Sequence, residues 1–188
     1  MTTGQYINTL THRHLNTKKK TMIIAIDVYY KNDLAKSVAI EFDNWTDEKP
    51  TQIHTVELDG IAEYVPGEFY KRELPCILKV LKKSNLSKVE AIIVDSYVQL
   101  DDDGKLGLGG YLYHHLEEKI PIIGVAKKKF HTLNEMGIAV LRGESKKPLY
   151  ITAAGIDLAE AAKNVQGMAG EYRFPELLKI LDQVTKDF

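Results

Sequence analysis

The 188-residue chain contains a single cysteine, Cys76. That excludes an internal disulfide and a cysteine-rich zinc site. No apolar run approaches the length needed to cross a membrane. The opening residues are polar and lack the apolar segment of a secretory signal. These absences lead us to expect an intracellular, cytoplasmic protein without membrane attachment. No internal repeat and no low-complexity domain is visible. Excess charge is missing too: the formal net charge is −1, so global charge does not announce a nucleic-acid binder.

What is present suits one domain. Hydrophobic residues make up 44% and charged residues 27%, enough for a core and ordinary for a globular chain. The apolar pattern begins at Met22. Residues 1–21 are polar, include Lys18, Lys19 and Lys20, and read as a mobile N-terminal extension to a domain spanning residues 22–188. Charge is unevenly distributed. Residues 105–150 hold eight lysines and arginines against four glutamates, directly after Asp101-Asp102-Asp103. A lysine-rich solvated surface explains this, and so does a basic wall for gripping a phosphodiester.

The pattern of apolar runs predicts three consecutive strands, Met22–Tyr30, Leu34–Phe42 and Gln52–Leu58, joined by turn signals such as Asn32-Asp33. A helix to about Lys83 follows, with Leu74, Ile77, Leu78 and Leu81 on one face and Pro75 as a candidate bend. Ala91–Asp95 and Pro121–Val125 read as buried strands around a helix over Leu106–Lys119. Ile138–Leu141 and Leu149–Thr152 are further strands. Leu158–Val165 and Pro175–Phe188 read as helices. The order predicts an α/β fold: an antiparallel three-strand meander, then parallel strands, in a mixed sheet flanked by helices.

Carboxylates recur where these strands should end. Asp27 closes Met22–Ile26, Asp95 closes Ala91–Val94, and Glu73 lies between them. Oxygen clusters of this kind hold Mg²⁺ or Mn²⁺, with water and a substrate phosphate completing the shell. Acids at strand ends also serve as caps and turn formers. Lys127, within Lys127-Lys128-Lys129, reads as a charge stabiliser or as a surface lysine. Cys76 falls in a helical apolar pattern and reads as core. His114 and His115 have no metal-ligand spacing and read as helix surface.

Six segments in order resemble the endonuclease V family. Tyr64-Val65-Pro66-Gly67, four residues, then Arg72-Glu73 is similar to the family's Tyr-Ile-Pro-Gly, four residues, Arg-Glu. Ala25-Ile26-Asp27-Val28 resembles its first strand, Val94-Asp95 its Val-Asp-Gly, and Gly124-Val125-Ala126-Lys127 its Gly-Val-Ala-Lys. Lys147-Pro148-Leu149-Tyr150 precedes the last strand as in the family. Tyr172-Arg173-Phe174-Pro175-Glu176 resembles its Tyr-Arg-Leu-Pro-Glu.

The resemblance implies an RNase H-like fold, related in shape to Argonaute and excinuclease nuclease domains. It also implies Mg²⁺- or Mn²⁺-dependent hydrolysis of a phosphodiester on the 3′ side of a deaminated base, typically inosine, in DNA or RNA. The ends left are a 3′-hydroxyl and a 5′-phosphate, and the role is nucleic-acid repair by a monomer. By the same resemblance Asp27, Glu73 and Asp95 are the metal ligands and Lys127 a catalytic group. Tyr64 is then a strand-separating wedge, Pro66 and Gly67 bind substrate beside it, with Gly67 letting backbone approach the nucleic acid or simply making a turn, and Arg72 contacts phosphate or braces Glu73.

Two segments depart from the family. Asp101-Asp102-Asp103 stands where the family carries His-Pro-Arg-Arg, which weakens polyanion binding there unless the acids hold another ion. Ala153-Ala154-Gly155 stands where it reads Gly-His-Arg, so a site histidine is expected to be Ala154 here, with Asp157 as a nearby substitute. Beside the endonuclease, two functions therefore fit these residues. One is a nucleic-acid-binding homologue with weak or lost catalysis. The other is a phosphohydrolase of smaller substrates, against which the wedge motif argues.

Overall fold

The computed structural model describes residues 21–59 and 69–187. Strands β1 (Met22–Lys31), β2 (Leu34–Phe42) and β3 (Gln52–Leu58) form the expected antiparallel meander. Lys31 pairs with Leu34, leaving Asn32-Asp33 as a two-residue turn, and Asn32 takes φ 54°. Asparagine tolerates that left-handed conformation better than other residues with a side chain.

Helix α1 (Phe69–Leu81) follows, and Pro75 lies within it on the exposed face without ending it. Next come β4 (Val89–Val94), α2 (Leu108–His115), β5 (Ile122–Ala126), β6 (Ile138–Val140), β7 (Leu149–Ala154), α3 (Leu158–Gln166) and α4 (Glu176–Lys186).

The seven strands make one mixed sheet in the order β3-β2-β1-β4-β5-β7-β6. β4 runs parallel to β1 and β5 parallel to β4, whereas β7 is antiparallel to both β5 and β6. Both faces are covered. Ile24, Ile26, Ala39, Ile92 and Val94 pack with Leu74, Ile77 and Leu81 of α1 and Leu112 of α2. Ile23, Ala25, Val38, Ile40 and Ile93 pack on the other side with Ala161 and Val165 of α3 and Leu177, Leu178 and Leu181 of α4. Strands buried on both faces read as continuous apolar runs, which is why β1, β4 and β5 were legible. Each fully buried isoleucine contributes about 1.5–3 kcal/mol. The edge strand β3 instead alternates between exposed and half-buried residues.

Two expectations change. The helix expected over Leu106–Lys119 is only α2, eight residues long. Gly107 is extended and lies against strand-exit backbone: a Cβ there would sit 2.3 Å from the Tyr97 carbonyl oxygen. Leu116 is extended at the other end. Asp27 does not end a strand. Parallel pairing stops at Ile26–Val94, but antiparallel pairing carries β1 on through Asp27–Val38 to Lys31. Asp27 therefore sits at a step in the sheet, where one neighbour has left and the other has not.

The loop from α3 to α4 is fixed from within. Arg142, only 5% exposed, donates to the carbonyls of Gln166, Met168, Ala169, Gly170 and Tyr172. Charge-assisted bonds to several carbonyls satisfy a guanidinium that burial would otherwise penalise. They also set where α4 begins.

Candidate active site

The step beside Asp27 opens into a small cleft at the C-terminal ends of β4 and β5. Ile26, Asp27, Ile93, Asp95, Val125, Phe174, Leu178, Leu181 and Asp182 line it. Asp95 is the first residue after β4, and Lys127 the first after β5. Every residue of β5 is buried, so Lys127 is where the chain first meets solvent. Gly124 of the Gly-Val-Ala-Lys segment has its own reason. The chain leaving Asp95 crosses over β5 there, and a Cβ would lie 2.5 Å from the Ser96 carbonyl oxygen and 2.5 Å from Thr152 Oγ1. Thr152 Oγ1 meanwhile accepts the Val98 N–H at 2.8 Å, holding that crossing in place.

Lys127 joins two of the acids. Its Nζ donates to Asp95 Oδ2 at 2.9 Å and to Asp182 Oδ1 at 3.3 Å. The ammonium also lies 4.4 Å from the centre of the Phe174 ring. Burial works against the charge of Lys127, but the bond to Asp95 and the charges of Asp95 and Asp182 outweigh it and raise its pKa. Asp182 takes a second cation on its other oxygen, Lys186 Nζ at 2.6 Å. Burial alone would raise Asp182, yet these two lysines hold its carboxyl below the ordinary range.

Asp27 and Glu73 are less well served. Asp27 Oδ1 accepts its neighbour's Val28 N–H at 2.9 Å. Burial first, then the charge of Asp95, push Asp27 up to about 6. Glu73 projects from α1 and is 8% exposed. Burial, followed by the charges of Asp27 and Asp95, pushes it up to about 9, with Arg72 pulling the other way. Arg72 stacks its guanidinium 3.8 Å above the Tyr30 ring.

Burial and the charge of Asp95 raise Asp27, and burial and the charges of both aspartates raise Glu73, while the Lys127 ammonium bonds only to Asp95 and Asp182 among these acids. Buried acids in this state gain from a cation supplied from outside. Their hard oxygen donors suit a divalent ion that keeps several waters. Among the described residues, no three acidic, histidine or cysteine side chains converge into a preformed coordination sphere. The fit is one of charge and donor type.

The structure thus places Asp27 and Asp95 in the lining of the cleft, bonds Lys127 to Asp95, and sets Glu73 near enough to feel the charges of Asp27 and Asp95, with Arg72 acting on Glu73 in the opposite sense. Tyr64, Pro66 and Gly67 lie outside the described residues. It also adds Asp182, which sequence reading missed. The available signal was an acid bordering the apolar stripe Leu178, Leu181 and Thr185 of α4.

Ala154 is placed away from the cleft. It pairs with Ile122, which pairs with Ile92, three residues before Asp95, or about 10 Å along a strand. Asp182 of α4, not a residue at the level of Ala154, bonds to Lys127 beside Asp95. Asp157 is no substitute: it caps α3, accepting the Glu160 N–H at 3.0 Å.

The acidic run after β4 is also committed elsewhere. Asp101 Oδ1 accepts the Lys105 N–H at 2.8 Å, closing a turn through Gly104 at φ 91°. Asp102 accepts the N–H groups of Asn134, Glu135 and Met136 at 2.9–3.2 Å. Cys76 is buried as expected, and His115 bonds back to the Tyr111 carbonyl of its own helix at 2.9 Å.

Comparison with known proteins supplies the family and the fold. A family model described as Endonuclease V matches residues 5–183. The Endonuclease V of Sulfurisphaera tokodaii is 25% identical over 190 residues, covering 93% of this chain and 86% of that protein. Among solved structures, Streptomyces avermitilis Endonuclease V superposes with a TM-score of 0.74 at 22% identity, covering 89% of this chain and 81% of that one. Ciona intestinalis Endonuclease V, solved with a 24mer DNA containing an inosine followed by a ribo-adenosine, gives 0.72 at 19% identity, covering 88% and 84%. These likenesses establish the RNase H-like α/β fold. No helix among the described residues is long and apolar enough to cross a membrane.

Proposed function

The chain belongs to the endonuclease V family, and from that membership we propose that it is a metal-dependent endonuclease acting on DNA or RNA. Its reaction is hydrolysis of the phosphodiester on the 3′ side of a deaminated base, with inosine as the first candidate. The observation that carries this reading is the cleft lined by Asp27, Asp95 and Asp182, with Lys127 bonded to Asp95 and Asp182, and with burial and like charge raising both Asp27 and the neighbouring Glu73. The inosine-containing DNA bound by the Ciona relative supports the substrate class.

In this reading Asp27, Glu73 and Asp95 hold Mg²⁺ or Mn²⁺. Such an ion, when bound, supplies Lewis-acid stabilisation of phosphate charge and acidifies water. The chain's own residues do the rest. The carboxylates orient the attacking water through hydrogen bonds to their oxygens. A new O–P bond forms, the P–O3′ bond breaks, and the leaving O3′ takes up a proton. The Lys127 ammonium, at the mouth of the cleft and 39% exposed, turns from its carboxylates to the charge that develops on phosphate or O3′. Phe174, Leu178 and Leu181 form an apolar wall that lowers the local dielectric and strengthens each of these contacts. Tyr64 remains the proposed wedge that exposes the damaged base, with Pro66 and Gly67 binding substrate beside it.

The test is cleavage of matched DNA and RNA oligonucleotides, each with and without one inosine, in Mg²⁺ and in Mn²⁺. Asp95→Ala serves as the control for contaminating nuclease. Metal-dependent cutting 3′ to inosine that is lost in the variant supports the proposal. Folded protein that binds the oligonucleotides without cutting them would instead favour a binding homologue that has lost catalysis.

A further inference from the structure

Lys127 is gripped at both ends by one short segment. Arg173 donates through Nη2 to the Lys127 carbonyl and to the Pro148 carbonyl, the latter at 2.7 Å. Lys127 is the residue after β5, and Pro148 the residue before β7. One guanidinium therefore ties two antiparallel strand ends to the start of α4. The next residue, Phe174, places its ring under the ammonium at 4.4 Å and lines the cleft itself. A free lysine side chain has four rotatable bonds and strong hydration. Here its backbone and its head group are both fixed by neighbours consecutive in sequence.

We infer that Arg173 and Phe174 are positioning residues, which hold the Lys127 ammonium between Asp95 and Asp182 and thereby set its approach to the scissile phosphate. The placement stands on geometry, and only its consequence for catalysis rests on the nuclease reading. Arg173 contacts no cleft carboxylate in the structure and works through Lys127. An exposed lysine that must find its place during the reaction loses much of its effect, because an error of about 1 Å in a catalytic group costs up to about 100-fold in rate.

Two measurements separate this inference from the nuclease reading. The first needs no substrate: ¹H–¹⁵N spectra of the lysine ammonium groups in the intact protein. Wild type is expected to give a protected Lys127 signal, assigned by its loss in Lys127→Ala. In Arg173→Gln that signal should broaden away, and in Phe174→Leu it should weaken. The signal from Lys186, which pairs with Asp182 from its own helix, should persist in both. A Lys127 signal that is unprotected in wild type, or unchanged in the folded variants, would overturn the inference. Should Arg173→Gln fail to fold, Phe174→Leu decides alone.

The second measurement is kinetic. Arg173→Gln should lower kcat about 10- to 100-fold at unchanged KM, and this loss should vanish in a Lys127→Ala background. Losses that multiply in the double variant would show that Arg173 does not act through Lys127. If wild type cuts nothing, the nuclease reading fails, and the spectra still decide the placement.

Discussion

Two sets of aspartates, separated by six residues at their closest, behave in opposite ways. Asp95 belongs to the cleft with Asp27, Glu73 and Asp182. Asp101 and Asp102 belong to the loop beyond it. Asp101 accepts one backbone N–H and Asp102 three, and Asp102 is held below the ordinary carboxylate range by Met136, Asn134 and Glu135. The cleft acids have almost no such donors. Asp27 receives one N–H, and burial with like charge raises both it and Glu73. A carboxylate whose lone pairs are filled by the backbone is a fastener. One left buried and short of donors is available to a ligand.

The largest test of this contrast is on activity. Asp27→Ala or Asp95→Ala should lower single-turnover cleavage of an inosine oligonucleotide by about 1,000-fold or more, whereas Asp102→Ala should change it by less than about threefold. Comparable losses in both sets would break the comparison. Asp182→Asn should fall between, at about 100-fold in kcat, because Lys127 and Lys186 already occupy its oxygens. A loss as deep as that of Asp95→Ala would instead place Asp182 among the groups the reaction cannot do without.

A stability test sharpens the same point with the opposite sign. The folded pKa values of Asp27 and Glu73 lie above their reference values of 3.8 and 4.5. Their favourable contribution is therefore complete below about pH 4. It is lost as pH rises, through about 6 for Asp27 and about 9 for Glu73. In chelator, Asp27→Asn and Glu73→Gln should each stabilise the protein at neutral pH by about 2–3 kcal/mol. Urea denaturation at pH 5, 7 and 9 measures this, and variants no more stable than wild type at pH 7–9 would show that the cleft charges are already compensated.

The smallest effect is expected at Asp102. Its lowered pKa contributes stability above the unfolded value of 3.8, lost as pH falls through the folded value. Asp102→Ala should speed amide exchange at residues 134–136 with only a slight fall in Tm, and unchanged exchange there would count against its fastening role.

Much of this could be read in advance because its signal is local. The buried runs of β1, β4 and β5 and the turn at Asn32-Asp33 follow from neighbours in sequence. So does the placing of Asp95 and Lys127 just past strand ends, since a polar residue after an apolar run marks where a buried strand emerges. The ends of α2 were not legible. Leu106 and Lys119 fit a helix by composition, and it was the crossing at Tyr97 that required Gly107 to be extended. The level of Ala154 was not legible for the same kind of reason: alignment by order assigns a residue a position in a list, not a level along a sheet.

The sequence by itself determined the alternation of elements, the core strands and the emergence of Asp95 and Lys127 just past strand ends, because apolar periodicity and burial are fixed over a few residues. Only the tertiary structure decided that Asp182 enters the cleft, that Ala154 stands about three residues away from it along the sheet, and that Asp101 and Asp102 are fasteners. Asp101 closes its own turn with Lys105, but Asp102 meets Asn134 from 32 residues away and Lys127 meets Asp182 from 55 residues away. Electrostatic partnership acts through space, and the fold alone sets those distances.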